Sequence, residues 1–67
     1  MKQVSHKLKQ IRMERHLSQT QVATRLGITR SAYANYEQGI REPDIQMLKK
    51  LCAVFEISAD DLLGIND

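Results

Sequence analysis

Apolar residues along the chain recur at three- and four-residue steps and are interrupted by Gly, Ser, Thr, Asp and Pro. No run of Val, Ile and Thr alternates in the two-residue rhythm of a half-buried strand. The first segment, about Ser5 to His16, carries Leu8, Ile11 and Arg12 on one stripe, and an arginine on such a stripe asks for a partner. The second begins at Ser18, where Ser18 and Gln21 form an S-x-x-Q capping box, and runs to Leu26 with Val22, Ala23 and Leu26 inward. Gly27 ends it, because a left-handed residue after a helix costs glycine no Cβ clash. Thr29 then caps a third helix reaching Gln38, and Gly39 ends that one. A loop from Ile40 to Pro43 leads to a fourth helix, about Asp44 to Phe55, with Ile45, Leu48, Leu51, Cys52 and Phe55 in one arc. Ser58 and Asp61 make a second capping box for a short fifth helix, carrying Leu62 and Leu63 and ending near Gly64. The pattern predicts an all-α fold of five helices, one domain over residues 1–67 with its core in 5–64.

Only about three residues separate the second helix from the third, which forces a sharp corner, and the small Ala23 lets the two helices approach closely. That is helix-turn-helix geometry. On a helical wheel the third helix has two unlike sides. Ala32, Tyr33 and Tyr36 fall on one side, where core packing outweighs base stacking as a use for the two rings. Arg30, Ser31, Ala34, Asn35 and Gln38 fall on the other. This second set is a long cation, amides, a hydroxyl and a small residue that permits close approach to a surface. A guanidinium can offer two donors to guanine O6 and N7, and an amide can pair with adenine N6 and N7.

Charge is divided along the chain. Residues 1–41 carry eight Lys or Arg against Glu14 and Glu37, a net +6, whereas residues 42–67 carry Lys49 and Lys50 against six acids, a net −4. The basic part contains the bare helix face and points to a polyanion on one side. At 67 residues there is room for one small, mostly aliphatic core and no second, catalytic domain. A lone Cys52 excludes an internal disulfide and reads as a small buried hydrophobe. His6 and His16 lack a second metal-like partner at useful spacing, so no metal and no cofactor is expected. The adjacent Asp60 and Asp61 point different ways on a helix, Asp61 is committed to capping, and no nucleophile–base set accompanies them; an enzyme is not expected. The N-terminus lacks the apolar region of a signal peptide and no segment has the length of a membrane span, so a cytoplasmic protein with no membrane partner is expected.

The stretches LSQTQVATRLGI, SAYANYEQG, REP, LKKLCAVFEIS and DLLG, in this order, resemble the Cro and phage-repressor type of helix-turn-helix domain, also called the XRE type. The resemblance runs from about Leu8 to Gly64 and implies a lambda-repressor-like fold, with the helix-turn-helix formed by helices 2 and 3. It implies that Arg30, Ser31, Ala34 and Asn35 reach base edges. It implies phosphate contacts for Gln19 at the start of helix 2. Arg12 and Glu37 match an ion pair tying helix 1 to the recognition helix, which answers the question raised by Arg12 on its stripe. A branched aliphatic is common where Tyr33 stands, and Tyr33 is expected to pack its ring and turn its hydroxyl toward a phosphate. Gln38 and Arg41 are further phosphate candidates. Ser31 is a short reader that can donate or accept, which leaves its base preference open.

These readings imply a sequence-specific regulator of transcription, acting on double-stranded DNA as a repressor and localised to the nucleoid when bound. One short recognition helix reads only a few base pairs, so a homodimer on a palindromic operator is expected, with half-sites about 34–36 Å apart. Leu62, Leu63, Ile65, Met47 and Val54 are candidates for the dimer contact and equally for closing the core. The alternative is an antitoxin or adaptor whose fold mainly binds a protein partner. Salt separates the two, since DNA binding weakens steeply as salt rises.

Overall fold

Five helices follow one another in the computed structural model, which describes residues 2–63: α1 (Lys2–Glu14), α2 (Gln19–Leu26), α3 (Arg30–Gln38), α4 (Ile45–Phe55) and α5 (Ala59–Leu63). α1 packs against α3 and α5, α2 against α3 and α4, and α4 against α5, so α3 is held between two neighbours. The core joins Val4, Leu8 and Ile11 of α1 to Val22, Ala23 and Leu26 of α2, Tyr33 and Tyr36 of α3, Leu51 and Phe55 of α4 and Leu62 of α5. α1 starts three residues earlier than the pattern suggested, because Val4 extends the stripe one turn back from Leu8 and is itself buried. Leu62 closes the core with 1% of its surface exposed, which removes it from any dimer contact, and Ile65 lies outside the described residues.

The helix starts are set by side-chain caps. Ser18 Oγ accepts from Gln21 N at 3.0 Å while Gln21 Oε1 accepts from Ser18 N at 2.7 Å, completing the reciprocal box. Thr29 Oγ1 accepts from Ala32 N, Asp44 Oδ1 from Met47 N and Ser58 Oγ from Asp61 N, at 3.1, 2.8 and 3.0 Å. Each satisfies a first-turn N–H that has no partner within the helix.

The ends share one device as well. α1 to α4 each stop at a residue with positive φ: His16 (57°), Gly27 (75°), Gly39 (76°) and Glu56 (56°). An apolar residue follows in every case, and its N–H reaches back five residues along the chain: Leu17 to Arg12 O, Ile28 to Ala23 O, Ile40 to Asn35 O and Ile57 to Cys52 O, all at 3.0–3.1 Å. This is the Schellman arrangement. Leu17, Ile28 and Ile57 pack on the core, whereas Ile40 stays 69% exposed. α1 therefore ends at Glu14 and turns through Arg15 and His16, where the pattern alone carried the helix on to His16. Gly39 also stands close to α1, since a Cβ there would meet Ser5 Oγ at 3.4 Å; at Gly27 a Cβ would find nothing within 4 Å.

Exposed Glu56 in the left-handed region costs about 1 kcal/mol relative to glycine. Glu56→Gly is expected to stabilise the fold by about 0.5–1 kcal/mol after the added freedom of the unfolded chain is counted. A thermal melt should show the midpoint rising by several degrees; an unchanged or lower midpoint would mean that the Glu56 side chain contributes something its exposure does not reveal.

Candidate nucleic-acid interface

The two helices of the corner start side by side. Gln19 is the first residue of α2 and Arg30 the first of α3, and their side chains meet, Arg30 Nη1 donating to Gln19 Oε1 at 3.1 Å. Both positive helix ends, with first-turn N–H groups directed outward, thus lie on one side of the molecule. Arg30, Ser31 and Gln38 are exposed and Asn35 is half-buried. Among the described residues the side chains of Ser31, Asn35 and Gln38 make no hydrogen bond, so their donors and acceptors remain available. Arg41, exposed beyond the end of α3, places its Cζ 5.9 Å from the centre of the Tyr36 ring, a cation–π distance.

Behind the surface lies a charged knot. Arg12 Nε donates to Glu37 Oε2 at 2.6 Å and Nη2 to Glu37 Oε1 at 3.3 Å, while Nη1 donates to the Leu17 carbonyl at 2.8 Å. The two side chains are 13% and 3% exposed. Gln19 Nε2 adds a third donor to Glu37, at 3.1 Å from Oε1. Burial works against the Glu37 charge, yet the hydrogen bonds from Arg12 and Gln19 and the Arg12 charge outweigh it and hold the carboxyl below its ordinary range. The hydrogen bond to Glu37 in turn holds the Arg12 guanidinium above its usual value. The knot ties the end of α1, the start of α2 and the last turn of α3 into one body.

Two expected contacts are corrected here. Tyr33 has none of its surface exposed, and its hydroxyl is buried beside Glu37 and Arg12 with no hydrogen bond of ordinary geometry. Burial, reinforced by Glu37, pushes the phenol well above its usual pKa. It cannot reach a phosphate. Ala34 is 8% exposed, because α3 is flanked by both α1 and α2 and so buries more of its circumference than a two-sided wheel allows; its methyl has almost no surface to offer a base. Ala32, placed inward by the wheel, is half-buried instead. A role that the pattern did not give is that of Arg15, whose Nε donates to the Phe55 carbonyl at 2.8 Å and closes the end of α4. Only its position beside the left-handed His16 could have signalled this.

Among the described residues no group of three His, Cys, Asp or Glu could hold a metal ion, and no helix is long and apolar enough to cross a membrane. Cys52 lines a shallow apolar groove of about 420 Å³ with Ile45, Leu48, Ala59 and Leu63, and burial raises its thiol pKa.

Residues 8–62 match the Helix-turn-helix family. The uncharacterized HTH-type transcriptional regulator YqaE of Bacillus subtilis (strain 168) is 44% identical over 59 residues, 88% of this chain and 51% of that protein. The cryptic phage CTXphi transcriptional repressor RstR of Vibrio cholerae is 30% identical over 60 residues, 90% of this chain and 54% of that protein. The chain therefore spans about half the length of these curated relatives. Among solved structures, the master regulator for biofilm formation SinR, crystallised in complex with DNA, superimposes with a TM-score of 0.82 and 31% identity, covering 90% of this chain and 97% of that one. With five helices, the corner built on Gly27 and the match over residues 8–62, the chain belongs to the helix-turn-helix family of Cro and phage-repressor (XRE) type, a family of transcriptional regulators and not of enzymes.

Proposed function

We propose that this chain is the DNA-binding unit of a cytoplasmic, nucleoid-associated transcriptional repressor that sets α3 in the major groove of a palindromic operator as a two-fold dimer. The observation that carries the reading is the edge of exposed Arg30, Ser31 and Gln38 with half-buried Asn35, joined at its start by Gln19 of α2 and followed by exposed Arg41. Arg30 and Asn35 supply base contacts through two-donor and amide pairing, with Ser31 as a third, short reader. Gln19, Gln38 and Arg41 contact phosphates, helped by the free N–H groups at the start of α2. The likeness to SinR, whose crystal contains DNA, supports the same partner here. The basic half of the chain, net +6 over residues 1–41, supports it independently.

The test is selection of duplex DNA from a random pool at about 100–150 mM salt, with Arg30→Ala and Asn35→Ala in parallel. A palindrome is expected, with each variant relaxing the preference at its own base pair by a factor of about 5–150, the range for loss of a two-bond contact. Affinity should also fall by about 10³-fold or more between 50 and 200 mM salt if a dimer neutralises six or more phosphates. The apolar groove between α4 and α5 favours a second reading, an antitoxin or adaptor that engages a protein. No enriched motif, with wild type and variants equally weak, would remove base readout by α3 and leave that second reading standing.

A further inference from the structure

Tyr33 carries a hydroxyl where the ring alone would fill the core. None of the residue's surface is exposed, and among the described residues Tyr33 Oη is the one buried side-chain oxygen or nitrogen with no hydrogen bond of ordinary geometry. A polar group buried without a partner loses its hydration and gains nothing back, so the hydroxyl costs stability unless a second arrangement of the site uses it. Its neighbours are the two ends of the ion pair, Glu37 and Arg12. Glu37 already holds three donors: Arg12 Nε at 2.6 Å on Oε2, with Arg12 Nη2 at 3.3 Å and Gln19 Nε2 at 3.1 Å on Oε1. Arg12 is committed there, because its Nη1 is also anchored on the Leu17 carbonyl at 2.8 Å. Gln19 is the donor that can leave, since it is half-buried at the first position of α2 and an amide turned outward is readily satisfied by water or an anion.

We propose that Tyr33 and Gln19 are alternative donors to Glu37: when the Gln19 amide turns outward to the DNA backbone, the carboxylate shifts onto the Tyr33 hydroxyl and the ion pair keeps its full set of donors. The DNA half of this rests on the reading that α2 begins at a phosphate. Without the hydroxyl, drawing Gln19 outward would leave a carboxylate whose side chain is 3% exposed one donor short, and binding would bear that loss. With it, one hydrogen bond replaces another and the orphaned phenol is satisfied in the same step. Tyr33 Oη is thus idle in the free protein and bonded in the complex.

Tyr33→Phe and Gln19→Met, made singly and together, test this. Methionine keeps the length of the glutamine and removes the amide, so in that background Tyr33 is the donor to Glu37 even without DNA. In thermal melts of the free protein, Tyr33→Phe should leave the midpoint unchanged or raise it when Gln19 is present. It should lower the midpoint by about 4–8 °C in the Gln19→Met background, the shift for one lost hydrogen bond in a domain of this size. The second readout is affinity for the duplex that the wild type selects from a random pool, at about 100–150 mM salt. Tyr33→Phe should weaken that binding about tenfold with base preferences intact, the equivalent of one bond to a charged group. In the Gln19→Met background the same change should matter by less than about twofold, because the hydroxyl is then bonded with or without DNA. A midpoint that falls equally in both backgrounds would make the hydroxyl an ordinary structural group and overturn the proposal, as would a midpoint that moves in neither. The expected melts with unaltered DNA affinity would mean that Gln19 stays on Glu37 in the complex, which overturns it too. If the wild type binds no duplex, the DNA reading falls and takes the DNA half of the proposal with it, while the melts still report the exchange of donors by themselves.

Discussion

Glu37→Ala is expected to cost about 3–5 kcal/mol of folding free energy, because it leaves the Arg12 guanidinium buried without its counter-charge. Arg12 is 13% exposed and directs Nε and Nη2 at Glu37, so little water can take the place of the carboxylate. A domain of 67 residues has a total stability of about 3–10 kcal/mol. The variant should therefore be partly or wholly unfolded at room temperature, which a urea titration followed by circular dichroism will show. Replacing both partners, Arg12→Met with Glu37→Met, should recover more than half of the loss, since the cost lies in the uncompensated charge. A double variant as unstable as the single would locate the cost in packing instead.

The same pair gives a signed dependence on pH. The Glu37 carboxyl is held below its ordinary range in the folded chain, so its ionised form contributes stability that is complete above the unfolded glutamate value of about 4.3. That contribution is lost as pH falls through the lower, folded value. Wild type should accordingly lose stability below about pH 5, and Glu37→Gln should lack that step. Arg12 is shifted upward, away from the acid range, and adds nothing there.

Phe55→Ala is the second large effect, at about 3–5 kcal/mol, the cost of deleting a ring from a filled core. Phe55 is fully buried at the last turn of α4, and its carbonyl is the acceptor for Arg15. One residue thus anchors α4 in the core by its ring and to the turn after α1 by its carbonyl, and the alanine variant loses only the first directly. Chemical denaturation should show the midpoint collapsing, while Arg15→Ala, which removes the other link, should lower stability by about 1 kcal/mol. Comparable losses for the two would mean that the end of α4 depends on the Arg15 cap as much as on the ring.

The readings that needed only local chemistry were open in the sequence. Ser18 with Gln21, Thr29, Ser58 with Asp61, and the left-handed Gly27 and Gly39 each act within a turn of their own position, so spacing suffices to place them. What escaped was set by neighbours. Ala34 looked presented because a wheel knows one helix, whereas α3 is flanked by two. Tyr33 was expected, from the resemblance, to turn its hydroxyl toward a phosphate, yet the hydroxyl is buried beside Arg12 and Glu37. The left-handed His16 and Glu56 carry no glycine to announce them, and the apolar residue after each was the only mark. The contact between Gln19 and Arg30, eleven positions apart, depends on the angle of the corner between α2 and α3. No period in the sequence encodes that angle.

The two glycines that end α2 and α3 share a backbone conformation but stand in different surroundings. At position 27 only the torsion angles restrict the residue, so among related chains an asparagine could replace the glycine without any change elsewhere. At position 39 a Cβ would in addition rest in ordinary van der Waals contact on Ser5 Oγ, at 3.4 Å. A side chain at 39 therefore starts out against α1 while one at 27 starts out in open space, so the first corner admits longer residues than the second.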